Sequence, residues 1–454
     1  MTSKNTITPS ASKQSNQQQK NQSSKTKKNG SLRSRKSSVQ LVLNHVTHTP
    51  SDHRFAANNF DHSSVANSPC LTPAQTLAQQ QNSKINSKAV PYWEQDSLGF
   101  FHDLKTMRWM RHPGTSFRMI LILLIPWAIL QQSKMLGWIE SNPLSCFVLI
   151  SYPLPIQQGE QYHLYGKGPK DFLFLGFYII VFSFIRQAVT EYLVRPYARF
   201  LGLKGTKQNR FVDQGYAVFY WGSATMIGLR VMSDQPTWWY NTSEFWIGYP
   251  HWRMEPTTKA YYLLQFSYWL QQMLIAAFRI EKPRSDFVEL IIHHLVTLWL
   301  VGWSYLTNLT MIGTTIFVSM DISDTFLGLS KCINYTKYKR TSEVSFAIFL
   351  CIWTYFRHWQ NFRILYSVYN DYETLVPPSA RRWSPSNEVY LTGWMKWQIF
   401  APIMLLQILN LFWYFLIWRI VYRMLVGNPL ADVREEGETD ESESEDGDSK
   451  KKKQ

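Results

Sequence analysis

Two adjacent histidines, His293 and His294, lie inside the apolar stretch DFVELIIHHLVTLWLVGW at 286–303. Ionisable side chains within a segment that crosses a membrane are costly, and they generally mark a functional site. Near neutral pH an imidazole can attack a thioester or remove a proton from an amine. The pair therefore indicates acyl transfer or proton transfer at a membrane.

The next apolar stretch carries two carboxylates, Asp321 and Asp324, whose i, i+3 spacing puts them on one face of a helix. A short turn joins the two stretches. His293 lies 15 residues before Asn308 in that turn, and Asp324 lies 16 residues after it. Because equal separations from the turn give equal depth in an antiparallel helix pair, we expect two histidines and two aspartates at one level. A carboxylate would then orient one imidazole.

Several functions are compatible with this constellation. A metal site is not expected. The chain has 11 histidines, but none of those outside the N-terminal tail forms the histidine clusters that membrane di-iron enzymes use. A transporter proton relay also uses intramembrane His and Asp, but no inverted repeat supports one. A polar contact between helices is the purely structural alternative. Acyl or proton transfer on a lipid suits a shallow site, where a polar carrier stays in water while its chain enters the membrane.

Eight apolar segments are each long enough, at about 20 residues, to be predicted as membrane-crossing helices. They lie near 119–138, 171–190, 213–232, 259–278, 287–306, 311–330, 345–365 and 398–420. The first, third and seventh are interrupted by charged side chains, namely Lys134, Arg230 and Arg357. The expected fold class is an all-α polytopic membrane protein with seven to eight transmembrane helices and disordered polar tails.

Lysine and arginine are concentrated in alternate loops, and this pattern predicts the orientation of the chain. The basic loops are 191–212, 279–286 and 331–344. They are expected on the cytosolic side with both termini, so that the loops 139–170, 233–258 and 366–397 face the opposite side. Asn241 begins a glycosylation sequon in the second of these loops and is the glycosylation candidate.

Both ends of the chain are polar, and we predict that they are disordered. The boundaries are 1–95 for the N-terminal tail and 426–454 for the C-terminal tail. Candidate phosphorylation segments are RSRKSS at 33–38 and SESED at 442–446. Lys451 and Lys452 resemble a dilysine signal for return to the endoplasmic reticulum, which requires a cytosolic C-terminus. A polar N-terminus predicts no cleaved signal peptide.

The net charge of +15 is carried largely by the N-terminal tail and the loops. No nucleic-acid partner is expected, because stacking and zinc motifs are missing from the sequence. Attraction to an anionic membrane face explains the charge better. The four cysteines have no paired spacing and indicate neither a disulfide framework nor a zinc site.

The segment RSDFVELIIHHLVTLWLVGWSYLTNLTMIGTTIFVSMDISDTFLGLSK at 284–331 resembles the Lag motif of ceramide synthases, the sphingosine N-acyltransferases of the TLC-domain superfamily. A looser resemblance covers about 200–420, and FRIEKPRSDF and LSKCINY resemble the fungal branch. The matching positions are Asp286, Phe287, Glu289, His293, His294, Thr297, Ser304, Asn308, Gly313, Asp321, Asp324 and Lys331.

The chain departs from the animal pattern of this family at three positions. Met311 and Met320 replace a basic residue and a second histidine, and Gly328 replaces an acidic residue. We therefore do not expect these positions to be essential to the chemistry. A homeobox-like domain, which some animal members carry, is missing from the N-terminal tail.

The resemblance implies that a fatty acyl chain moves from acyl-CoA to the amine of a sphingoid base. His293 is the preferred acyl acceptor or base, His294 assists, and Asp321 and Asp324 orient the imidazole and take a proton. The acyl-CoA is a co-substrate, and no tightly bound cofactor or metal is expected. Candidate substrate-binding residues are Glu289, Ser304, Asn308, Arg357 and His358. For Arg357 and His358, pairing with other helices is the alternative.

The resemblance also implies an organisation and partners. An N-terminal amphipathic segment with two transmembrane helices is expected at 96–200, and a TLC catalytic domain at 201–425. The expected partners are a related ceramide synthase in a homo- or heterodimer and a small single-pass membrane subunit. The expected location is the endoplasmic reticulum membrane. A lipid sensor or transfer protein without enzymatic activity, and an acyltransferase with another acceptor, are the alternatives.

Overall fold

The structure is a computed structural model that describes residues 99–159, 162–280 and 286–426. The predicted disordered tails lie outside these ranges, apart from Val426. Both phosphorylation segments and the dilysine signal at Lys451 and Lys452 also lie outside the described residues. These features therefore stay predictions.

Eight long helices form the described part of the chain, which confirms the predicted all-α class. Apart from isolated bridges such as Tyr165 with Met254, the described residues contain no strand. The helices are α1 Pro113–Met135, α2 Lys170–Phe200, α3 Gly205–Ser233, α4 Pro256–Ala277, α5 Phe287–Leu306, α6 Thr310–Asn334, α7 339–375 and α8 Met395–Leu425. Each overlaps one predicted span, in the predicted order.

Four of the eight helices, α1, α2, α5 and α8, are long and apolar enough by length and composition to cross a membrane. The other four carry more polar side chains, and several of these face the interior of the bundle. In α4, for example, Gln265 and Gln271 are at most 2% exposed. These polar side chains lower the mean hydropathy of such helices. The helices tolerate them because the polar groups bond to neighbouring helices instead of meeting lipid.

Two of the helices that extend beyond their predicted spans change to π-helical geometry along the way. In α2 the π-helical segment is Val189–Val194, and in α7 it is Thr354–Gln360. The predicted loop 366–397 therefore begins as helix and leaves the helix only after Leu375. A π-helical turn adds a residue and so redirects the side chains that follow it, and such turns are frequent at functional sites.

The packing separates the two helices of the predicted hairpin. α6 packs mainly against α3 and α7, whereas α5 packs mainly against α4 and α8. Gly328 permits the close approach of α6 to α3, because a Cβ there would lie 2.9 Å from a methyl of Val218. Consequently α5 and α6 meet at their shared turn and diverge away from it.

Three connecting segments meet at the end of the bundle that holds this turn. These turn-end loops are 136–159 with 162–169, 234–255 and 376–394. Tyr249 donates a hydrogen bond to the Thr307 carbonyl at 2.8 Å, and Trp246 Nε1 donates one to Ser367 Oγ at 2.9 Å. The loops are therefore bonded to the helices as well as to one another.

Candidate active site

The space between the diverging α5 and α6 is an apolar cleft, which we call the α5/α6 cleft. It contains about 750 Å³ free of protein atoms, part of it open to the surroundings. Residues of α4, α7 and α8 complete its walls, and most of the lining residues are apolar.

The paired histidines have different surroundings on α5. Both rings pack edge-on against Trp269 of α4, with centroids 5.4 Å away for His293 and 5.5 Å away for His294. Only His293 lines the α5/α6 cleft, and its ring also contacts Trp413 of α8 at 5.3 Å. This difference follows from the 100° between adjacent helix positions.

The proton of His294 has a defined place. Its Nδ1 lies 2.7 Å from the Leu290 carbonyl oxygen, which only accepts hydrogen bonds, so Nδ1 carries the proton. In the neutral ring Nε2 is then the nitrogen with the lone pair. His293 differs, since its Nδ1 is buried and has no hydrogen-bond partner among the described residues.

Thr297 lies one helical turn beyond His293 and lines the same cleft. Its buried hydroxyl oxygen also has no hydrogen-bond partner within 99–159, 162–280 and 286–426. A buried polar atom without a partner costs about 1–3 kcal/mol. Two such atoms, side by side in an apolar cleft, are therefore suited to contact a polar group of a ligand.

Asp324 faces this end of the cleft from α6 and forms an ion pair with Arg357 of α7, with Nη2 2.6 Å from Oδ1. Arg357 also donates to Asn410 Oδ1 at 3.0 Å and lies over the Trp353 ring at 4.4 Å. The π-helical segment of α7 carries Arg357. We call the group formed by His293, Asp324 and Arg357 the polar end of the cleft.

Asp321 does not line the cleft, although it lies only one turn before Asp324. It is fully buried, and its Oδ2 accepts a hydrogen bond from Gln265 of α4 at 2.6 Å. Tyr220 of α3 donates to the oxygen of the same amide at 2.9 Å and so fixes its orientation. The two predicted catalytic aspartates are therefore held by different helices.

The candidate substrate-binding residues divide into two groups. Arg357 and Ser304 line the cleft. His358 lies outside it, accepting a hydrogen bond from Gln407 at Nδ1, and Glu289 lies in the first turn of α5 and is partly buried. Asn308 occupies the turn itself, with φ of 63°, and donates to the Glu388 carbonyl at 2.8 Å.

The end of the cleft at Ser304, which we call the far end, is lined by closely packed side chains. Ser304 and Tyr262 are hydrogen-bonded there, and Tyr262 packs so closely on Gly313 that no Cβ fits. Leu309 and Ile312 complete this wall and are 2% and 3% exposed.

A charged cluster lies behind the far end, in the turn-end loops. Lys167 contacts the Glu388 carboxylate at 3.2 Å and donates to the Leu306 carbonyl at 2.6 Å. Burial lowers the pKa of Lys167, and Glu388 partly offsets the effect. Burial, together with the Glu388 carboxylate, raises the pKa of Tyr390 to about 12. The cluster binds two loops to the end of α5.

Sequence reasoning missed several side chains that surround the site. Trp269 and Trp413 enclose the histidines, and Gln265 holds Asp321. For Gln265 and Asn410 a signal was present, because each is an amide within a predicted span. The tryptophans gave no such signal, since aromatic residues are common throughout the apolar segments.

Asn241 is exposed in a turn-end loop, next to the short helical turn Thr242–Phe245. Its glycosylation stays a prediction.

No three metal-ligating side chains converge among the described residues. The absence of a metal from the reaction likewise stays a prediction.

Comparison with known proteins places this site in a family. The TLC-domain family model (TRAM, LAG1 and CLN8) matches residues 210–419, which include every residue of the polar end. Sphingosine N-acyltransferase lac1 of Schizosaccharomyces pombe is 36% identical over 321 residues, covering 70% of this chain and 82% of that protein. Ceramide synthase LAG1 of Saccharomyces cerevisiae is 37% identical over 311 residues, covering 67% and 72%.

A third similar protein is the sphingosine N-acyltransferase-like protein FUM17 of Gibberella moniliformis, 35% identical over 325 residues, which cover 68% of this chain and 80% of that protein. These alignments extend over most of both chains, and they agree with the multi-pass helical fold. This chain therefore belongs to the sphingosine N-acyltransferase (ceramide synthase) family, the Lag/Lac type of TLC-domain membrane enzymes, on its fungal branch.

Proposed function

We propose that this protein transfers a long or very long fatty acyl chain from acyl-CoA to the amine of a sphingoid base, dihydrosphingosine or phytosphingosine, and so forms a ceramide. The observation that carries the proposal is the placement of His293, Asp324 and Arg357 at one end of an apolar cleft. Such a cleft suits an alkyl chain, and its polar end suits the reacting carbonyl and amine. The names of the similar fungal proteins support the same reaction.

In the first step, a lone-pair nitrogen of His293 attacks the carbonyl carbon of the thioester. The hydroxyl of Thr297, one turn away, donates to the developing oxyanion. The carbon–sulfur bond then breaks, and the imidazole proton passes to the departing thiolate of coenzyme A. An acyl group remains on the imidazole.

In the second step, the sphingoid ammonium gives a proton to Asp324, and the neutral amine attacks the acyl carbon. The bond between carbon and imidazole breaks, the second amine proton returns to the imidazole, and an amide results. Arg357 holds the carboxylate of Asp324 towards the cleft. Asp321 and His294 support the site from behind. A direct transfer, with His293 as general base, is the alternative to the acyl intermediate.

The proposed topology brings this chemistry close to cytosolic acyl-CoA. His293 lies six residues into α5, or about 9 Å from its start. With both termini cytosolic in the endoplasmic reticulum membrane, the acyl chain enters the cleft and the coenzyme stays in water. We also propose that the reaction uses no tightly bound cofactor. A related subunit in a dimer and a small single-pass subunit are the proposed partners.

The function is tested by incubating the purified protein, with and without a small single-pass subunit, with a fatty acyl-CoA and dihydrosphingosine. Mass spectrometry should detect the amide, and peptide mapping without the base should detect acylated His293. Amide formation without the acylated peptide would favour direct transfer. A folded protein that forms no amide with either preparation would instead support a lipid sensor, and an amide with other amines only would support another acceptor.

A further inference from the structure

The α5/α6 cleft has a limited length. His293 and Ser304 mark its two ends on α5, and the helix advances about 16 Å over the eleven residues between them. An extended alkyl chain advances about 1.25 Å per carbon, because its bonds are about 1.5 Å long and nearly tetrahedral. A straight chain that begins at His293 therefore reaches the far end after roughly 13 carbons.

The far end is tightly packed. Tyr262, Ser304, Leu309 and Ile312 line it, the first two hydrogen-bonded to each other and the last two almost completely buried. Behind this wall Lys167 and the turn-end loops are fixed to the end of α5. A fatty acyl chain of more than about 13 carbons must therefore bend or leave the cleft by another route.

The cleft is partly open to the surroundings, and its most exposed lining residue lies on α5. Trp299 of α5 lines the cleft and is nevertheless 47% exposed, which is the largest exposure among the residues that line it. Trp303, one turn further, is partly buried and stacks parallel to Trp299, with ring centroids 5.3 Å apart. Gln398 of α8 also lines the cleft and is partly buried. From these exposures on α5 and α8 we infer that the opening lies between the two helices.

The position of the opening determines what it faces. Trp299 lies twelve residues into α5, about 18 Å along a helix of about 30 Å. That is close to the middle of the hydrocarbon layer, which is about 30 Å thick. The opening therefore faces lipid tails and lies far from the polar headgroups.

We propose that the opening beside Trp299 and Trp303 is an exit for the tail of the acyl chain. The proposal rests on the proposed function. The thioester end remains at His293, the first carbons fill the cleft, and the rest of a longer chain passes between α5 and α8 into the bilayer. Because lipid tails are as apolar as the side chains of the cleft, the carbons that leave lose almost no favourable environment. The length of the cleft then sets no upper limit on the length of the chain.

The exit is tested by photolabelling the full-length protein in phospholipid nanodiscs. The probes are thioether analogues of acyl-CoA, which cannot transfer their chain, with a diazirine at the terminal carbon and chains of about 12 or about 20 carbons. The short probe should label the peptides of the far end, at Leu309 and Ile312. The long probe should label phospholipid and the peptide with Trp299 and Trp303.

Labelling of the far end by both probes would show a deeper pocket. It would contradict the proposed exit and leave the proposed binding of acyl-CoA standing. If neither probe labels the protein, the proposed binding of acyl-CoA fails and the exit fails with it. These outcomes separate the two proposals, and neither readout depends on turnover.

Two variants test the residues of the exit. Trp299→Ala and Trp303→Ala remove the indoles around which the tail bends, and should change the ratio of turnover with the long and the short acyl-CoA by about threefold or more. Trp418→Ala is the matched control, since Trp418 of α8 is also 47% exposed but does not line the cleft. An equal change at both lengths, or the same shift in Trp418→Ala, would contradict the proposal.

Discussion

Asp321 and Asp324 show how two similar residues acquire different environments. Their spacing correctly indicates neighbouring positions on α6, yet Asp321 bonds to Gln265 of α4 while Asp324 pairs with Arg357 of α7. Of the four predicted catalytic groups, His293 and Asp324 line the cleft, and His294 and Asp321 do not. We therefore expect the first pair to contact substrate and the second pair to act through its neighbours.

The ion pair between Asp324 and Arg357 can be tested by a double-mutant comparison. Arg357→Leu leaves the carboxylate in the bundle without this partner, and should destabilise the protein by about 3–5 kcal/mol. The double variant Arg357→Leu/Asp324→Asn should recover most of that stability, because the negative charge in the bundle is gone, but none of the acyltransferase activity. Thermal unfolding in detergent and the amide assay measure the two effects.

Arg363→Leu is the control for this experiment, since Arg363 lies on the same helix with an exposed side chain. Arg363 donates one hydrogen bond, to Gln360 Oε1 at 3.2 Å, so the effect of its loss on stability should stay at about 1 kcal/mol. Activity in the double variant would show that Asp324 does not accept the proton.

The turn between α5 and α6 is the element that sets the shape of the cleft. Asn308 has a left-handed backbone there, which asparagine adopts more readily than most residues, and its amide donates to the Glu388 carbonyl. The two helices diverge from this fixed point. Asn308 thus has a structural task, although the sequence motif alone indicated a substrate contact.

Substitution of Asn308 separates these two roles. Asn308→Gly keeps the backbone conformation and loses the hydrogen bond, which should cost about 1 kcal/mol. Asn308→Ala adds strain in the left-handed region, so its total cost should be about 2–3 kcal/mol. Both should leave the KM for the sphingoid base unchanged, as measured by thermal unfolding and by steady-state kinetics.

Asn370→Ala is the matched control on α7, because Asn370 is exposed and its amide bonds only to the neighbouring Asp371 side chain among the described residues. It should have almost no effect on either quantity. A KM that rises several-fold in Asn308→Gly, with little loss of stability, would show that Asn308 binds the substrate.

In the described part of the chain, the turn-end loops lie at one end of the helix bundle, and His251 lies within them. Burial lowers the pKa of His251, and a backbone hydrogen bond at Phe245 partly offsets this effect. The unfolded chain therefore binds the histidine proton at a higher pH than the folded protein does. The neutral ring of His251 therefore contributes to the stability of the folded protein. This contribution is complete above pH of about 6.5, and it is lost as the pH falls through and below that value.

Removing this side chain should flatten the dependence of stability on pH. The melting temperature of the wild-type protein should fall between pH of about 7.5 and 5.5, and it should fall less in His251→Gln, where no proton can bind. His163→Gln, an exposed substitution in another turn-end loop, should keep the wild-type difference. An unchanged pH dependence in His251→Gln would show that other groups control it.

Much of this structure was predictable from the sequence, because the signals involved are local. Runs of apolar residues predicted the order and the approximate position of all eight helices, including α5 with its paired histidines. The motif at 284–331 indicated the correct family, because the order and spacing of its side chains are specific. The catalytic roles and domain boundaries that follow from that motif stay predictions.

Tertiary packing decided the features that depend on more than one helix. The sequence predicted one level of two histidines and two aspartates, but packing on α4, α7 and α8 determines which of them reach the cleft. The π-helical segment that carries Arg357, and the divergence of α5 from α6, were not visible in the hydropathy pattern. Hydropathy depends on residue type along the chain, whereas the direction of a side chain depends on the rotation of its helix and on the neighbours that hold it.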